Sequence, residues 1–389
     1  MSAGRAAYVL PFLLKQTLNR LAAPPVSQTL RDSSTGVTMN IYDIAKIAGV
    51  SIATVSRVVN GSDKVSEKTR ARVLDIIARE GYTPNVFAQG LGLNTMHTVG
   101  VLVPDIADLY MSGAVSYLEE QLHRSGYECI LSCSGFDLER KHSHVQMLLS
   151  KKIDALILVG STYAGSGISN TQTDYIREAA SEVPVFMING VVSGENIYCS
   201  ACDDRTATKE AVRSLIAAGH KKILFLTDSG SYSAQQKMKG YQDALADAGL
   251  PLEESLMLRI HKNRIHMVRD ELNDLSVSNA LPSFDAVLAT DDTLAVGAMK
   301  YALGKGLRIP EDLAVIGYNN SAFSISSEPE LTSIDSRLED LCKNTADTLI
   351  RLLSSGKDSE EGDLPAPEPL TLFPCRIVWR QSAVCSVDI

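Results

Sequence analysis

Asn40-Ile41-Tyr42-Asp43-Ile44-Ala45-Lys46-Ile47-Ala48-Gly49-Val50-Ser51-Ile52-Ala53-Thr54-Val55-Ser56-Arg57-Val58-Val59-Asn60-Gly61 carries two short helical repeats separated by a glycine. Ile41, Ile44, Ala45 and Ala48 recur at the spacing that puts side chains on one helix face, and Gly49 stops the segment. Ser51 can cap a second helix with Val55, Val58 and Val59 as its apolar residues, ending at Asn60-Gly61. Further on, Ser66 caps a third helix with Glu67 in its first turn. There Val73, Leu74, Ile76 and Ile77 are expected to face inward, and Arg79 and Gly81 mark the end. Two short helices joined by a tight turn and crossed by a third make a helix-turn-helix, although periodicity alone equally allows a generic three-helix bundle. The second helix offers Thr54, Ser56 and Arg57, short polar groups and one guanidinium suited to a major groove.

The surrounding composition divides the chain by charge. With 389 residues, 45% hydrophobic and 21% charged, it has material for two or three domains. The net charge of −9 taken whole argues against nucleic acid. Residues 39–98, however, hold seven Lys/Arg against five Asp/Glu, and residues 1–38 hold four against one. The remainder holds 26 against 40, so a mildly basic segment precedes a large acidic body and separate tasks are expected. Seven cysteines, odd in number and thinly spread, point to reduced thiols and a cytoplasmic protein. No charge-free apolar stretch is long enough to cross a bilayer, so a membrane partner is not expected.

Residues 1–38 have no sustained period. Arg5 followed by Ala6 to Leu14 imitates a signal peptide, but Pro11 interrupts the apolar run and Ala23-Pro24-Pro25 would cleave poorly. The segment reads as a disordered extension, with Met39 as the working start.

From Val99 onward short apolar strands alternate with amphipathic helices. Strands are expected at Val99–Val103, Glu128–Cys133, Ala155–Val159, Val185–Ile188, Ile223–Leu226, Ala286–Ala289 and Ala314–Gly317. This alternation means parallel sheet covered on both faces, and the length suits two sheets. Asp105, Ser134, Ser161, Asn189, Asp228, Asp291 and Asn319 stand at or just after strand ends. In open α/β sheets ligands bind outside those carboxyl ends, so two facing sheets would form a cleft for a small polar metabolite such as a sugar or nucleoside.

The run from Tyr42 to Gly61 closely resembles the headpiece of the lactose and purine repressor (LacI/GalR) family, and Val65-Ser66-Glu67-Lys68-Thr69-Arg70 and Gly81-Tyr82-Thr83-Pro84-Asn85 continue the likeness. The resemblance extends from about Met39 to Ser382. It implies an α/β chain: a three-helix helix-turn-helix headpiece over 39–84, a hinge over 85–98, and a two-lobed periplasmic-binding-protein-like core of parallel sheets over 99–389. The family consists of dimeric transcription regulators that bind double-stranded operator DNA under control of a small metabolite, without a cofactor. Carried over by position, Ile52 and Ala53 are base-reading residues behind Ser51, and Ser56 and Arg57 are the polar pair that follows. Tyr42, Thr54, Asn60 and Lys68 match positions that touch phosphate or groove. In the hinge, Gln89 falls in the DNA-facing frame and Leu91 falls on the residue that wedges between bases. An ordinary interdomain linker remains the alternative there, because no Lys or Arg occurs between Thr83 and Leu122.

For the body, the resemblance puts Tyr110, Met111, Asn189, Lys237, Asp291 and Asn319 at the effector, and the strand-end reading adds Ser161. Asn189 and Asn319 stand where the family usually has Asp, Asp291 where Asn is common, and Lys237 where an Arg is typical. A Lys lacks the planar fork that grips two oxygens at once.

Other constellations carry less. Cys199-Ser200-Ala201-Cys202 lacks two further ligands at metal spacing and reads as a buried strand leading to Asp203-Asp204, so no metal is expected. His142 and His144 are expected on the surface with Arg140 and Lys141, and His261 and His266 could approach the cleft but are expected to face solvent. Phosphate-loop, zincin and nucleophile-elbow motifs are absent, and enzymatic function has no support in the sequence. A secreted sugar-binding protein without a DNA role shares the expected body fold, but it would lack the segment from Met39 to Gly61.

Overall fold

A computed structural model describes residues 39–59, 62, 64–82, 95–165, 170–260, 264–354 and 366–384. The expectations placed on the leader, on Asn60, on Gln89 and Leu91 of the hinge and on His261 lie outside these residues. The chain divides into two compact units, Met1–Asn85 and Val86–Ile389, and each is taken by itself.

In the first unit, local capping sets the helix ends. Helix α1 (Ile41–Ala48) begins at Asn40, whose side chain accepts from the Tyr42 and Asp43 amides while Asp43 accepts from the Asn40 amide. Gly49 closes it at φ 63°, a left-handed conformation that glycine adopts without a Cβ penalty. Helix α2 (Ile52–Val59) starts behind Ser51, whose Oγ accepts from the Thr54 amide at 3.2 Å. Helix α3 (Glu67–Glu80) is capped by Ser66 and stopped by Gly81. Ile44, Ala45, Ala48, Val55, Val58, Val73 and Ile76 form the core of this unit. Leu74 is a correction, because it is 47% exposed. One residue along a helix turns ~100° away, and the stripe of Val73, Ile76 and Ile77 leaves Leu74 outside it. The Arg70 guanidinium donates to the Ser62 carbonyl at 2.6 Å and fastens the turn between α2 and α3.

The second unit contains two parallel sheets. Its first lobe is built from β1 (Thr98–Val103), α4 (Leu109–Arg124), β2 (Glu128–Cys133), α5 (Leu138–Ser150), β3 (Ala155–Val159), α6 (Asp174–Ala180), β4 (Val185–Ile188) and β5 (Ile197–Cys202). The second lobe continues with α7 (Asp204–Ala217), β6 (Ile223–Thr227), α8 (Tyr232–Asp247), β7 (Met257–Arg259), α9 (Ile265–Val277), β8 (Ala286–Ala289), α10 (Asp292–Gly304), β9 (Ala314–Tyr318), α11 (Ala322–Ser326) and β10 (Thr332–Asp335). The chain then returns to the first lobe as α12 (Leu338–Ser354) and β11 (Leu370–Phe373), and crosses back as β12 (Arg376–Val378). Strand orders are β11-β5-β4-β3-β1-β2 and β12-β10-β9-β8-β6-β7, and the β10–β12 pair is antiparallel while the other described pairs are parallel.

Every strand expected from the sequence is present. The strands not foreseen, β7, β10, β11 and β12, are three or four residues long, and all but β10 sit at a sheet edge or carry half-exposed side chains. Strand β10 reads Thr332-Ser333-Ile334-Asp335, and its polar sequence hides a buried strand. Successive strand residues alternate between faces. Leu102, Leu156, Leu158, Val185 and Met187 therefore join one cluster, and Val101, Val103, Ile157, Val159, Phe186 and Ile188 join the opposite one with Leu341, Cys342 and Leu349 of α12. The second sheet divides the same way, with Leu224, Leu226, Val287 and Val315 on one face and Phe225, Leu288, Ile316 and Tyr318 on the other. Helices α7 and α8 meet at Gly240, where a Cβ would lie 2.2 Å from the Arg205 carbonyl oxygen. Only a residue without a side chain permits that approach.

Two polar residues of α5 differ from the expected surface setting. Lys141 is buried and donates to the Thr162 carbonyl at 2.8 Å, and His144 is half-buried with Nδ1 2.6 Å from Ser132 Oγ. The sheet packed beneath α5 decides this, since the helix faces it with both residues. No described helix is long and apolar enough to cross a membrane.

Candidate functional site

The headpiece exposes one face of α2 with mixed polar and apolar residues. Ser51, Ile52, Ala53 and Arg57 are exposed, whereas Val55 and Val58 point into the core. That spacing, i, i+1 and i+5, gathers the outward residues on a helix about 12 Å long. Thr54 and Ser56 are half-buried, and the Thr54 hydroxyl pairs with Ser51 Oγ at 2.9 Å. Thr54 thus stabilises the helix start as well as bordering the exposed face. Tyr42 is 67% exposed on α1, and Lys68 is exposed in the first turn of α3.

In the body, strand ends from both sheets converge on a cleft of about 1790 Å³. All seven anticipated effector residues line it: Tyr110, Met111, Ser161 and Asn189 from the first lobe, and Lys237, Asp291 and Asn319 from the second. Asp105 and Asp228 line it as well. Ser134 does not, being fully buried with Oγ 2.8 Å from Tyr163 Oη. Strand β2 is the outermost strand of its sheet, so its end opens at the rim and not at the centre.

The geometry qualifies several expectations. The Tyr110 side chain reaches the cleft wall, but its hydroxyl is buried without a hydrogen-bond partner, and burial raises its pKa well above the usual phenol value. Lys237 lines the floor yet is only 5% exposed. Its ammonium donates to the Thr290 carbonyl at 3.0 Å and lies 3.5 Å from the centre of the Tyr318 ring, an internal anchor with a cation–π contact. Asn189 and Asn319 both occupy left-handed backbone, at φ 60° and 86°. Asn tolerates that region better than most side chains, which gives a local reason for amides here. Asn319 Nδ2 donates to Asp291 Oδ2 at 3.2 Å, while Asp291 Oδ1 caps α10 by accepting from the Thr293 amide at 2.6 Å.

Sequence reasoning missed three lining residues of consequence. Asp108 caps α4 through the Met111 amide at 3.0 Å, and burial followed by the charge of Asp291 raises its carboxyl to about 6. Its segment was recognised, but spacing alone gave no reason to prefer it to Asp105. Ser231 receives a hydrogen bond from Ser161 across the cleft at 3.0 Å. Phe136, 63% exposed, supplies an apolar plate at the rim. Beneath the floor, Asp292 accepts from Ser321 and Ser333, and burial raises its carboxyl to about 7. His266 is exposed and also borders the cleft.

The lining therefore combines carboxylates, side-chain amides and hydroxyls with Met111, Phe136 and Phe323. Acceptors of this density suit the hydroxyl donors of a polar molecule, Arg264, Arg337 and Arg376 add donors, and the apolar side chains suit its ring faces.

Known proteins share the two-part organisation of this chain. The profile described as bacterial regulatory proteins, lacI family, matches residues 40–85. A second, described as periplasmic binding proteins and sugar binding domain of LacI family, matches residues 96–365. An HTH-type transcriptional regulator of Lachnoclostridium phytofermentans is 48% identical over 316 residues, covering 81% of this chain and 93% of that protein. Catabolite control protein A of Priestia megaterium is 32% identical over 350 residues, covering 88% and 99%. Among solved structures, the Lac repressor bound to ONPG in its repressed state superposes with a TM-score of 0.74 at 25% identity, covering 89% of this chain and 100% of that one. A complex of the transcriptional regulator CelR with cellobiose superposes with a TM-score of 0.62 at 24% identity, covering 89% and 100%. With a helix-turn-helix headpiece and a two-sheet sensor body both matched, this chain belongs to the LacI family of bacterial regulatory proteins.

Proposed function

We propose that this protein is a cytoplasmic, homodimeric transcription regulator of the repressor type. It binds a near-palindromic operator through its headpieces and is controlled by a small polar metabolite, a sugar or nucleoside, held between the two lobes. The observation that carries this reading is the convergence of Ser161, Asn189, Asp291 and Asn319 from two separate sheets on one cleft. In the headpiece, Ile52 and Ala53 meet apolar base edges such as a thymine methyl, and Arg57 meets a hydrogen-bonding edge. Tyr42, Ser51, Thr54, Ser56 and Lys68 flank them along groove and backbone.

In the body, a metabolite that favours one closure of the lobes shifts operator affinity, and DNA shifts metabolite affinity by the same factor. The cleft is a binding site in this reading and performs no chemistry. The test is selection of bound duplexes from random DNA by the full-length protein, then release assays with monosaccharides, disaccharides and nucleosides. One near-palindrome and one responsive class of compound are expected. Sugar binding without any enriched DNA sequence would instead favour a binding protein with no DNA role. An enriched operator that responds to no member of the panel would overturn the effector assignment.

A further inference from the structure

The chain passes between the lobes of the body three times, and the three passages run side by side. The Asp203 amide donates to the Phe373 carbonyl at 2.8 Å, and Cys202 Sγ donates to the Ser336 carbonyl at 3.0 Å. Cys202 ends β5, Ser336 follows β10, and Cys375 lies between β11 and β12. At this junction the Cys202 thiol, the Cys375 thiol and a carboxylate oxygen of Asp204 all lie within 4.8 Å of one another.

The sequence motif that attracted attention does not form this group. Cys199 and Cys202 are three apart on one strand, so their side chains leave opposite faces of the sheet. Cys199 joins one apolar cluster and Cys202 the other. The partner of Cys202 comes instead from the far end of the chain.

Asp204 supplies the second, independent observation. It is 1% exposed, and its Oδ1 accepts from Tyr318 Oη at 2.7 Å. The Ser233 hydroxyl lies beside this carboxylate as a further donor, and the Lys237 ammonium is close enough to favour its charge. Two sulfur donors lie within 4.8 Å of one oxygen of this buried carboxylate.

We propose that Cys202, Asp204 and Cys375 bind one divalent ion of the zinc class at the junction of the lobe crossings. Two thiolates and a carboxylate form a borderline-soft donor set that favours zinc over magnesium or calcium. Donor atoms around one tetrahedral zinc stand roughly 4 Å apart, so small side-chain rotations complete the site. Binding replaces the two thiol protons, which pass to solvent. The three negative charges of the ligands are then offset by the ion and by the Lys237 ammonium, which lies over the Tyr318 ring. Cys375 is part-exposed and lines the cleft, which gives an ion a path to the site.

The experiment is a cobalt(II) titration of reduced, full-length protein under argon, followed by displacement with zinc. One equivalent per chain should produce the near-ultraviolet thiolate-to-cobalt charge-transfer band and the visible bands of tetrahedral cobalt. Cys375→Ser changes a part-exposed side chain outside the strands, and a thermal melt checks that the variant folds. It should weaken cobalt binding at least about tenfold, a loss that even outer-shell changes can cause. Cys199→Ser, on the same strand but the opposite face, should leave band and stoichiometry intact. No charge-transfer band at stoichiometric cobalt, or a band that survives Cys375→Ser undiminished, overturns the proposal.

Discussion

Ser161 Oγ donates to Ser231 Oγ at 3.0 Å, joining the end of β3 in one lobe to the N-cap of α8 in the other. Ser231 keeps its capping role toward the Ala234 amide, so the bond adds a link between lobes without replacing a local one. A hydrogen bond of this kind contributes ~0.5–1.5 kcal/mol. Ser161→Ala should therefore shift the balance of lobe closure severalfold while leaving the melting temperature nearly unchanged. Small-angle scattering of the unliganded protein checks it. An unaltered radius of gyration, together with unaltered effector affinity, would show that this contact does not hold the lobes.

The acidic cleft makes stability depend on pH. Asp108 titrates near 6 in the folded protein against 3.8 as its ordinary value, so the folded state holds this proton more tightly than the unfolded chain. Its contribution to stability is greatest below about pH 4 and is lost as pH rises through about 6. Asp292, raised to about 7, acts in the same direction. Asp108→Asn keeps the helix cap and removes one titrating group. The melting temperature should then fall less between pH 4.5 and 7 than in the wild type, with a residual slope from Asp292. An unchanged slope would assign the whole effect elsewhere.

Arg57 is exposed on α2 beside Ile52 and Ala53. Arg57→Ala should remove sequence preference and leave most non-specific binding, at a cost of ~1–3 kcal/mol on the operator. Titrations on selected and scrambled DNA check this. Equal losses on both would mean that the guanidinium meets only phosphate.

Asp291 and Asn319 form one hydrogen-bonded pair facing the cleft. Asn319→Ala and Asp291→Asn should each abolish the metabolite response while operator binding survives. Asp291→Asn is preferred to Ala because the residue also caps α10, and losing a cap costs ~1 kcal/mol. A retained response in both variants would move the effector away from this pair.

How much of this was legible in the chain depends on the range of the forces involved. Helix ends at Asn40, Gly49, Ser66 and Gly81 follow from hydrogen bonds within a few residues, and strands such as β3 and β4 follow from continuous apolar runs. Strand ends could be read as a cleft lining because parallel sheets direct those ends alike. Local pattern, however, does not specify strand order. Ser134 looked equivalent to Ser161, but the fold turns its hydroxyl onto Tyr163 in the core.

The same distinction separates Tyr110, whose ring was foreseen at the cleft, from its hydroxyl, which the surrounding lobe buries. Lys237 was foreseen in the pocket, but Thr290 and Tyr318, brought there by other strands, decide that its ammonium is held internally. Cys202 and Cys375 show the limit most plainly. Their separation along the chain carries no periodic signal, and only the return of β11 beside β5 brings the crossings together. Periodicity, caps and turn residues act over a few bonds and so belong to the sequence by itself. Contacts between distant segments depend on how the sheets are ordered and crossed, and the tertiary structure alone decides them.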